Sequence, residues 1–343
     1  MKKTGIKFLM ILILLVAIIS CGDNKQTKDS QKVNDTALAR LDELNRNISN
    51  DPENSDLYHD RAKFYTDNED YNEALKDIGR ALAIDSTYSD YYVTLSDIYL
   101  GMGKLQITVE ALDKAIELDS KNVNALLKLA EISIIFRDYD KALNYIDKAL
   151  KTDELESKGY FLRGVIMLEN GDTIRGIRNF QKAIDVDQEY FDSHLQLGML
   201  YADKKNKLAI DYFNNALNIE PSNTEVSYYL AMFYQETGEY DKAIQIYNTI
   251  LVNNPEFYFA LYNIGYINLV YLKEFEQAIE YFTKVIEINP KYADAYYNRG
   301  FSYELLGEVQ NSKSDYKKTL EITANYEKAI DGLNRIDDLQ KMN

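Results

Sequence analysis

The chain of 343 residues has one cysteine, two histidines, four prolines and no tryptophan. A single cysteine excludes an intramolecular disulfide framework and any structural zinc site made of several thiolates. Two histidines leave little for a metal centre or a His-dependent triad, so no cofactor, no metal ligands and no catalytic residues are expected. Positive charge is also scarce: 39 Lys and Arg stand against 55 Asp and Glu, a formal charge of −16. Such a surface repels nucleic acid and anionic lipid. What remains is 46% hydrophobic with 29 tyrosines, enough to build a core and too much for a disordered chain.

The first residues that stand out are Lys2, Lys3 and Lys7, followed by an apolar run from Phe8 to Ile19. That run is shorter than the about 20 residues a membrane-spanning helix needs, and with its basic head it reads as a secretory signal. Ile18-Ile19-Ser20-Cys21 resembles the bacterial lipobox. The resemblance implies that residues 1–20 are a signal peptide and that Cys21 is lipidated, which ties the chain to a membrane without a transmembrane helix. Residues 21–34 are polar and read as a flexible tether. Gly22 follows the cysteine where inner-membrane retention would place aspartate, so the resemblance implies an outer-membrane lipoprotein of the bacterial cell envelope. The periplasmic face is the preferred reading, the cell surface the alternative.

An internal period comes next. Tyr71-Asn72-Glu73-Ala74-Leu75 returns as Tyr139-Asp140-Lys141-Ala142-Leu143 and as Tyr240-Asp241-Lys242-Ala243-Ile244, and phrases such as Ala81–Ser86, Ala115–Ser120 and Ala216–Pro221 recur with a period near 34 residues. The pattern resembles the tetratricopeptide repeat, whose units are helix–turn–helix pairs. Eight units fit, at 55–88, 89–122, 123–156, 157–190, 191–223, 224–257, 258–292 and 293–326. Position 8 of the units holds only small residues: Ala62, Ser96, Ala130, Gly164, Gly198, Ala231, Gly265 and Gly300. A close helix crossing demands this. Unit five is one residue short and unit seven one residue long, and both changes are expected in the turn between helices. Ser55, Ser89, Ser157 and Thr224 are expected to open first helices.

The resemblance implies an all-α solenoid, a right-handed superhelix of eight units over residues 55–326. A capping helix at 35–54 and another at 327–343 complete it, because no unit can bury its apolar stripe alone.

In this repeat family positions 5 and 9 of the first helix line a concave groove that binds partner segments. Read along the chain, the character of these positions changes at unit four. Units four to eight contribute Phe161, Val165, Leu195, Met199, Tyr228, Met232, Tyr262, Tyr266, Tyr297 and Phe301, joined at position 6 by Asn263 and Asn298, whose amides could bond a partner backbone. The first three units form an acidic end with Asp56, Asp60, Asp90, Asp97 and Glu131. The expected partner is a protein or peptide segment, apolar or aromatic with a basic part.

A carboxylate clamp of the kind used by chaperone adaptors is not expected, because His59 and Lys63 do not match its motif. Gly101-Met102-Gly103-Lys104 lacks the full spacing of a phosphate loop and reads as a turn. His59 is placed facing the groove and His194 in the core. The leading expectation is a non-enzymatic, lipid-anchored scaffold in outer-membrane assembly, secretion or control of envelope enzymes. The alternative is a self-assembling homo-oligomer in which another copy of the chain fills the groove.

Overall fold

The computed structural model describes residues 28–342, with side chains from 37 to 338. The expected signal segment and Cys21 lie outside the described residues. Two compact units divide the chain, Met1–Gln188 and Glu189–Asn343. The first contains α1 (Lys28–Asn50), α2 (Ser55–Asp67), α3 (Tyr71–Ile84), α4 (Ser89–Gly101), α5 (Leu105–Leu118), α6 (Val123–Ile135), α7 (Tyr139–Thr152), α8 (Ser157–Glu169) and α9 (Thr173–Val186). The second contains α10 (Phe191–Asp203), α11 (Leu208–Ile219), α12 (Thr224–Glu236), α13 (Tyr240–Asn253) and α14 (Tyr258–Ile267), a π turn at Asn268–Leu272, then α15 (Phe275–Ile288), α16 (Ala293–Leu305), α17 (Val309–Ile322) and α18 (Glu327–Met342). Among the described residues there is no strand. The fold is all-α, in consecutive helix–turn–helix pairs.

Each pair is held at one crossing, where position 8 of the first helix meets the residue at or equivalent to position 24 on the second. The eight second-helix residues, Ile78, Leu112, Ile146, Phe180, Phe213, Tyr247, Phe282 and Tyr316, are all fully buried. Volume is exchanged across the crossing except in unit six, where Ala231 faces the fully buried Tyr247. Where the second helix brings Phe180, Phe213 or Phe282, the first helix has glycine, and a Cβ on Gly164, Gly198 or Gly265 would stand 2.7, 2.6 or 2.9 Å from the ring. Units one to three pair Ala, Ser and Ala with Ile, Leu and Ile. Interiors packed this tightly conserve the sum of two facing volumes better than either one.

The turn inside every pair has one residue with positive φ: Glu69, Gly103, Arg137, Gly171, Lys205, Gly238, Lys273 and Gly307. The following amide closes back on the first helix, as in Asp70 N–H to Tyr65 O and Lys104 N–H to Tyr99 O, each 2.8 Å. This is the left-handed helix stop, which favours glycine for want of a Cβ clash.

Three local expectations change and one holds. Ser55, Ser89, Ser157 and Thr224 are the first helical residues, and the caps precede them: Asn54 and Asn223 accept amides of their own helices through side-chain oxygens, as Asn122 does for α6. Helix α1 begins at Lys28, inside the expected tether, because no glycine or proline separates that residue from the apolar positions that anchor the helix. Unit five absorbs its deletion at the turn, and α11 starts late, at Leu208. Unit seven differs: its extra residue lies in the last turn of the first helix, widened to the π form, where buried Asn268 donates Nδ2–H to Ile264 O at 2.9 Å.

Position 7 of units one and eight holds arginine where the repeat pattern has leucine. Arg61 grips Asp77 with two bonds of 2.6 and 2.7 Å, and Arg299 grips Asp315 with two of 2.7 and 2.8 Å. Both carboxylates are buried. Bidentate pairing satisfies charges that would otherwise be costly away from water.

Candidate partner-binding surfaces

In the first compact unit, α2, α4 and α6 carry the expected acidic end, and most of its carboxylates are already engaged. Asp56 accepts the Tyr91 hydroxyl at 2.6 Å and Asp90 accepts Asn122 Nδ2–H at 2.7 Å. Asp97 pairs with Lys128 at 2.6 Å and Glu131 with Lys158 at 2.9 Å. Asp60 is exposed. Between these helices opens a cavity of about 370 Å³, lined by Lys63, Asp90, Thr94, Asp97, Asn124 and Lys128 among others. It is a mixed-charge surface, less acidic than composition suggests.

His59 does not face the groove. It is 4% exposed, its Nε2 lies 2.7 Å from Thr94 Oγ1, and its ring sits 4.7 Å from that of Tyr91. Burial, ahead of the nearby Lys63 charge, lowers its pKa to about 4. The ring is therefore neutral near pH 7. Phe161 is also turned inward, with its ring 5.5 Å from Phe180, whereas Val165 stays half-buried. The expectation that Phe161 presents itself to a partner is corrected: with glycine at position 8, the neighbouring aromatic reaches up to meet it.

In the second unit the first helices α10, α12, α14 and α16 carry the remaining expected residues. Leu195 is buried and belongs to the core around Phe213, a second correction. Met199, Met232, Tyr228, Tyr262, Tyr266, Tyr297 and Phe301 are half-buried. Asn263 and Asn298 do not wait for a partner's backbone. Asn263 Nδ2 donates to the hydroxyls of Tyr228 and Tyr247, each at 3.0 Å, and Asn298 Nδ2 donates to the Tyr262 hydroxyl at 2.8 Å. Position 6 of units seven and eight thus clasps position 5 of the unit before it.

Ring contacts extend the row. Tyr262 and Tyr266 stack at 6.4 Å, and Tyr297 and Phe301 at 6.2 Å with planes 4° apart. Burial, and Asp294 beside Tyr262, raise the hydroxyl pKa of Tyr262 well above the usual tyrosine value; burial raises that of Tyr228. Both stay protonated and available as donors.

Three residues that sequence reasoning passed over belong beside this row: Phe259, Tyr271 and Leu272, each about two-fifths exposed. Tyr271 stacks on Tyr240 at 4.3 Å and meets Tyr266 edge-on at 6.1 Å. The π turn puts Tyr271 and Leu272 there. The one-residue excess of unit seven was the available signal, because such a turn is an α-helix with one residue inserted.

Among the described residues no cluster of three or more His, Cys, Asp or Glu could hold a metal ion, and no helix is long and apolar enough to cross a membrane.

Comparison with known proteins agrees with the fold. A tetratricopeptide repeat model matches residues 55–88, 89–122 and 293–326, which are units one, two and eight as read from the sequence. A second model of that description matches 200–262, and a TPR repeat model matches 268–307. None of these models describes an enzyme.

Among curated proteins no sequence matches. The C-terminal part of a TPR repeat-containing protein from Cytophaga hutchinsonii is 21% identical, with a TM-score of 0.51 over 80% of this chain and 98% of that one. Pseudomonas aeruginosa pilF is 17% identical, with a TM-score of 0.52 over 59% of this chain and 92% of that one. The Cut9–Hcn1 hetero-tetramer of the APC/C gives 17% identity and a TM-score of 0.50 over 98% of this chain and 63% of that one. At these identities the likeness is one of fold. Repeat models at both ends of the array, in the register set by its buried crossings, make the chain a member of the tetratricopeptide repeat proteins.

Proposed function

We propose that the chain is a non-enzymatic scaffold of the bacterial envelope, anchored by lipid on Cys21, whose first-helix faces hold a segment of a partner protein. One observation carries the binding part: Tyr228, Tyr262, Tyr266, Tyr297 and Phe301 stay half-exposed in one row although hydrogen bonds and ring contacts already fix several of them. Aromatic side chains with little rotamer freedom left to lose are the usual anchors of protein interfaces. Burial against a partner would stabilise such a row further.

The anchoring part rests on the basic head, the short apolar run and the lipobox-like Ile18-Ile19-Ser20-Cys21. Gly22 after the cysteine favours the outer membrane, on its periplasmic face, with roles in assembly, secretion or control of envelope enzymes.

A photo-crosslinking residue placed at position 266 is expected to trap a discrete adduct in intact cells, while the same residue at Val252, which is 80% exposed on α13, traps none. Equal trapping from both positions would overturn the placement. An adduct of the chain with itself would favour self-assembly. Cys21→Ser is expected to move the protein from the membrane pellet to the soluble fraction, and a variant that stays in the pellet removes the anchor from the reading.

A further inference from the structure

On α16 the carboxylate of Asp294 stands one helical turn before Asn298, on the face that carries the row. It is half-buried. The Tyr326 hydroxyl donates to one of its oxygens, and among the described residues no lysine, arginine or histidine pairs with it. Two cations do border the row, but Lys328 lies over the Tyr297 ring and Arg335 is held by Glu304 through two bonds of 2.9 Å. The uncompensated charge is felt nearby: burial first, and Asp294 second, raise the hydroxyl pKa values of Tyr262 and Tyr292, the latter to about 12.

Rings continue on both sides of this carboxylate. Tyr292, the residue before α16, meets Tyr262 edge-on at 5.2 Å and Tyr258 at 5.5 Å, while Tyr326 lies 5.2 Å from Tyr297. Phe259, with about two-fifths of its surface exposed, holds the position in unit seven that Asp294 holds in unit eight.

Elsewhere the chain builds the complete form of such a site twice. Arg61 pairs with Asp77 and lies 5.9 Å from the centre of the Tyr65 ring; Arg299 pairs with Asp315 and lies 5.6 Å from that of Tyr296. A planar guanidinium bonds a carboxylate through its edge while its face covers a ring. At Asp294 the carboxylate and the rings are in place, and no guanidinium among the described residues joins them. A lysine version exists, Lys242 with Glu239 at the Tyr234 ring, but on side chains 58% and 32% exposed. A half-buried carboxylate favours arginine, because a guanidinium is more weakly hydrated than an ammonium and sheds its water at smaller cost. Charge complementarity with an anion left unanswered thus specifies the partner.

We infer that Asp294 and the rings of Tyr262 and Tyr292 receive an arginine side chain of the partner segment, its guanidinium bonded to the second carboxylate oxygen and covering a ring. This rests on the scaffold reading above and puts the basic part of the expected partner at unit eight, among the rings.

The test uses the full chain in mild detergent and short fluorescent peptides that differ at one central residue between leucines: arginine, its neutral isostere citrulline, or lysine. The arginine peptide is expected to bind, and citrulline or lysine in its place to weaken binding on the order of tenfold. With Asp294→Asn, which keeps an acceptor for Tyr326, the arginine and citrulline peptides should bind alike, because the pair that told them apart is gone. Asp113→Asn, at an exposed position of α5 in the first compact unit, should leave the preference unchanged.

Equal binding of the arginine and citrulline peptides, equal binding of the lysine peptide, or a preference that survives Asp294→Asn would overturn the inference. If the arginine and citrulline peptides bind equally and both weaken with Tyr266→Ala, the scaffold reading stands and only the arginine falls. If no peptide binds while a crosslinker at position 266 traps a partner, again the inference alone falls; if the crosslinker also traps nothing, both fall. Displacement of the arginine peptide by unlabelled full chain would assign the arginine to a second copy and overturn a separate partner. The peptide comparison needs no variant, so an Asp294→Asn chain that fails to fold does not spare the inference.

Discussion

Units one to three and units six to eight share one backbone plan yet join neighbouring first helices by different means. In the early units the link from position 5 to the next unit's position 6 is His59 to Thr94, and the surface around it is joined by Asp97–Lys128 and Glu131–Lys158. In the late units the same link is Tyr228 to Asn263 and Tyr262 to Asn298, surrounded by stacked rings. Ion pairs at 29% and 35% side-chain exposure, as in Lys128–Asp97, weaken with salt, whereas amide–hydroxyl bonds between half-buried groups do not. One scaffold therefore supports two surfaces of opposite character, and the difference lies in side chains at a few repeated positions.

The core crossing gives the largest expected contrast. Phe213→Ala should destabilise the second compact unit by about 3–5 kcal/mol, more than Ile146→Ala does the first, because the ring leaves the larger cavity beside a glycine that cannot fill it. Urea melts followed by circular dichroism would measure both, and an equal loss would break the contrast.

Gly265→Ala should cost about 2 kcal/mol, since the new Cβ would stand 2.9 Å from the Phe282 ring. Adding Phe282→Leu converts unit seven to the alanine–aliphatic pairing of the early units and should restore most of the loss. A double variant no better than the single one would deny the volume exchange.

Acid should act through His59 in the first compact unit. Its folded pKa of about 4 lies below the ordinary value of 6.5, so the unfolded chain binds the extra proton. The stability contributed is whole above about pH 6.5 and is lost as pH falls toward 4, by about 2 kcal/mol at pH 5. The measurable outcome is a steeper fall of melting temperature between pH 7 and 5 in the wild type than in His59→Gln; parallel slopes would refute it.

The smallest effects concern the links themselves. Asn298→Ala should cost about 1 kcal/mol at any ionic strength, and Lys128→Ala less than about 1 kcal/mol at low salt and nothing measurable at 1 M. Melts at two salt concentrations would reverse the assignment if Asn298→Ala proved the salt-sensitive one.

The repeat frame was legible because every unit has to solve the same crossing. Small residues at position 8 and large ones at position 24 are required by contact, and contact leaves a periodic trace in composition. The candidate surface was only partly legible. Periodicity places Phe161, Leu195 and Tyr262 on one helical face, but how far each is covered depends on residues of other helices, 19 places along the chain for Phe161 and 36 for Tyr262. Phe180, packed beside Gly164, is close enough to cover Phe161. Asn298 reaches back to Tyr262 across 36 residues, so an amide read as a donor for a partner serves its own array. Arg61 and Arg299 at the leucine position would have read as defects without sight of Asp77 and Asp315, sixteen residues on, within bonding distance.

The widened turn at Asn268–Leu272 has a consequence for how such a chain changes length over time. One added residue in a helix rotates everything beyond it by about 100°, which would swing later side chains away from their neighbours. Because α14 loosens for a single turn and then stops at Lys273, the misalignment is cancelled before α15 begins. Unit eight keeps its phase, and an insertion that could have scrambled the register instead adds two exposed side chains to one edge.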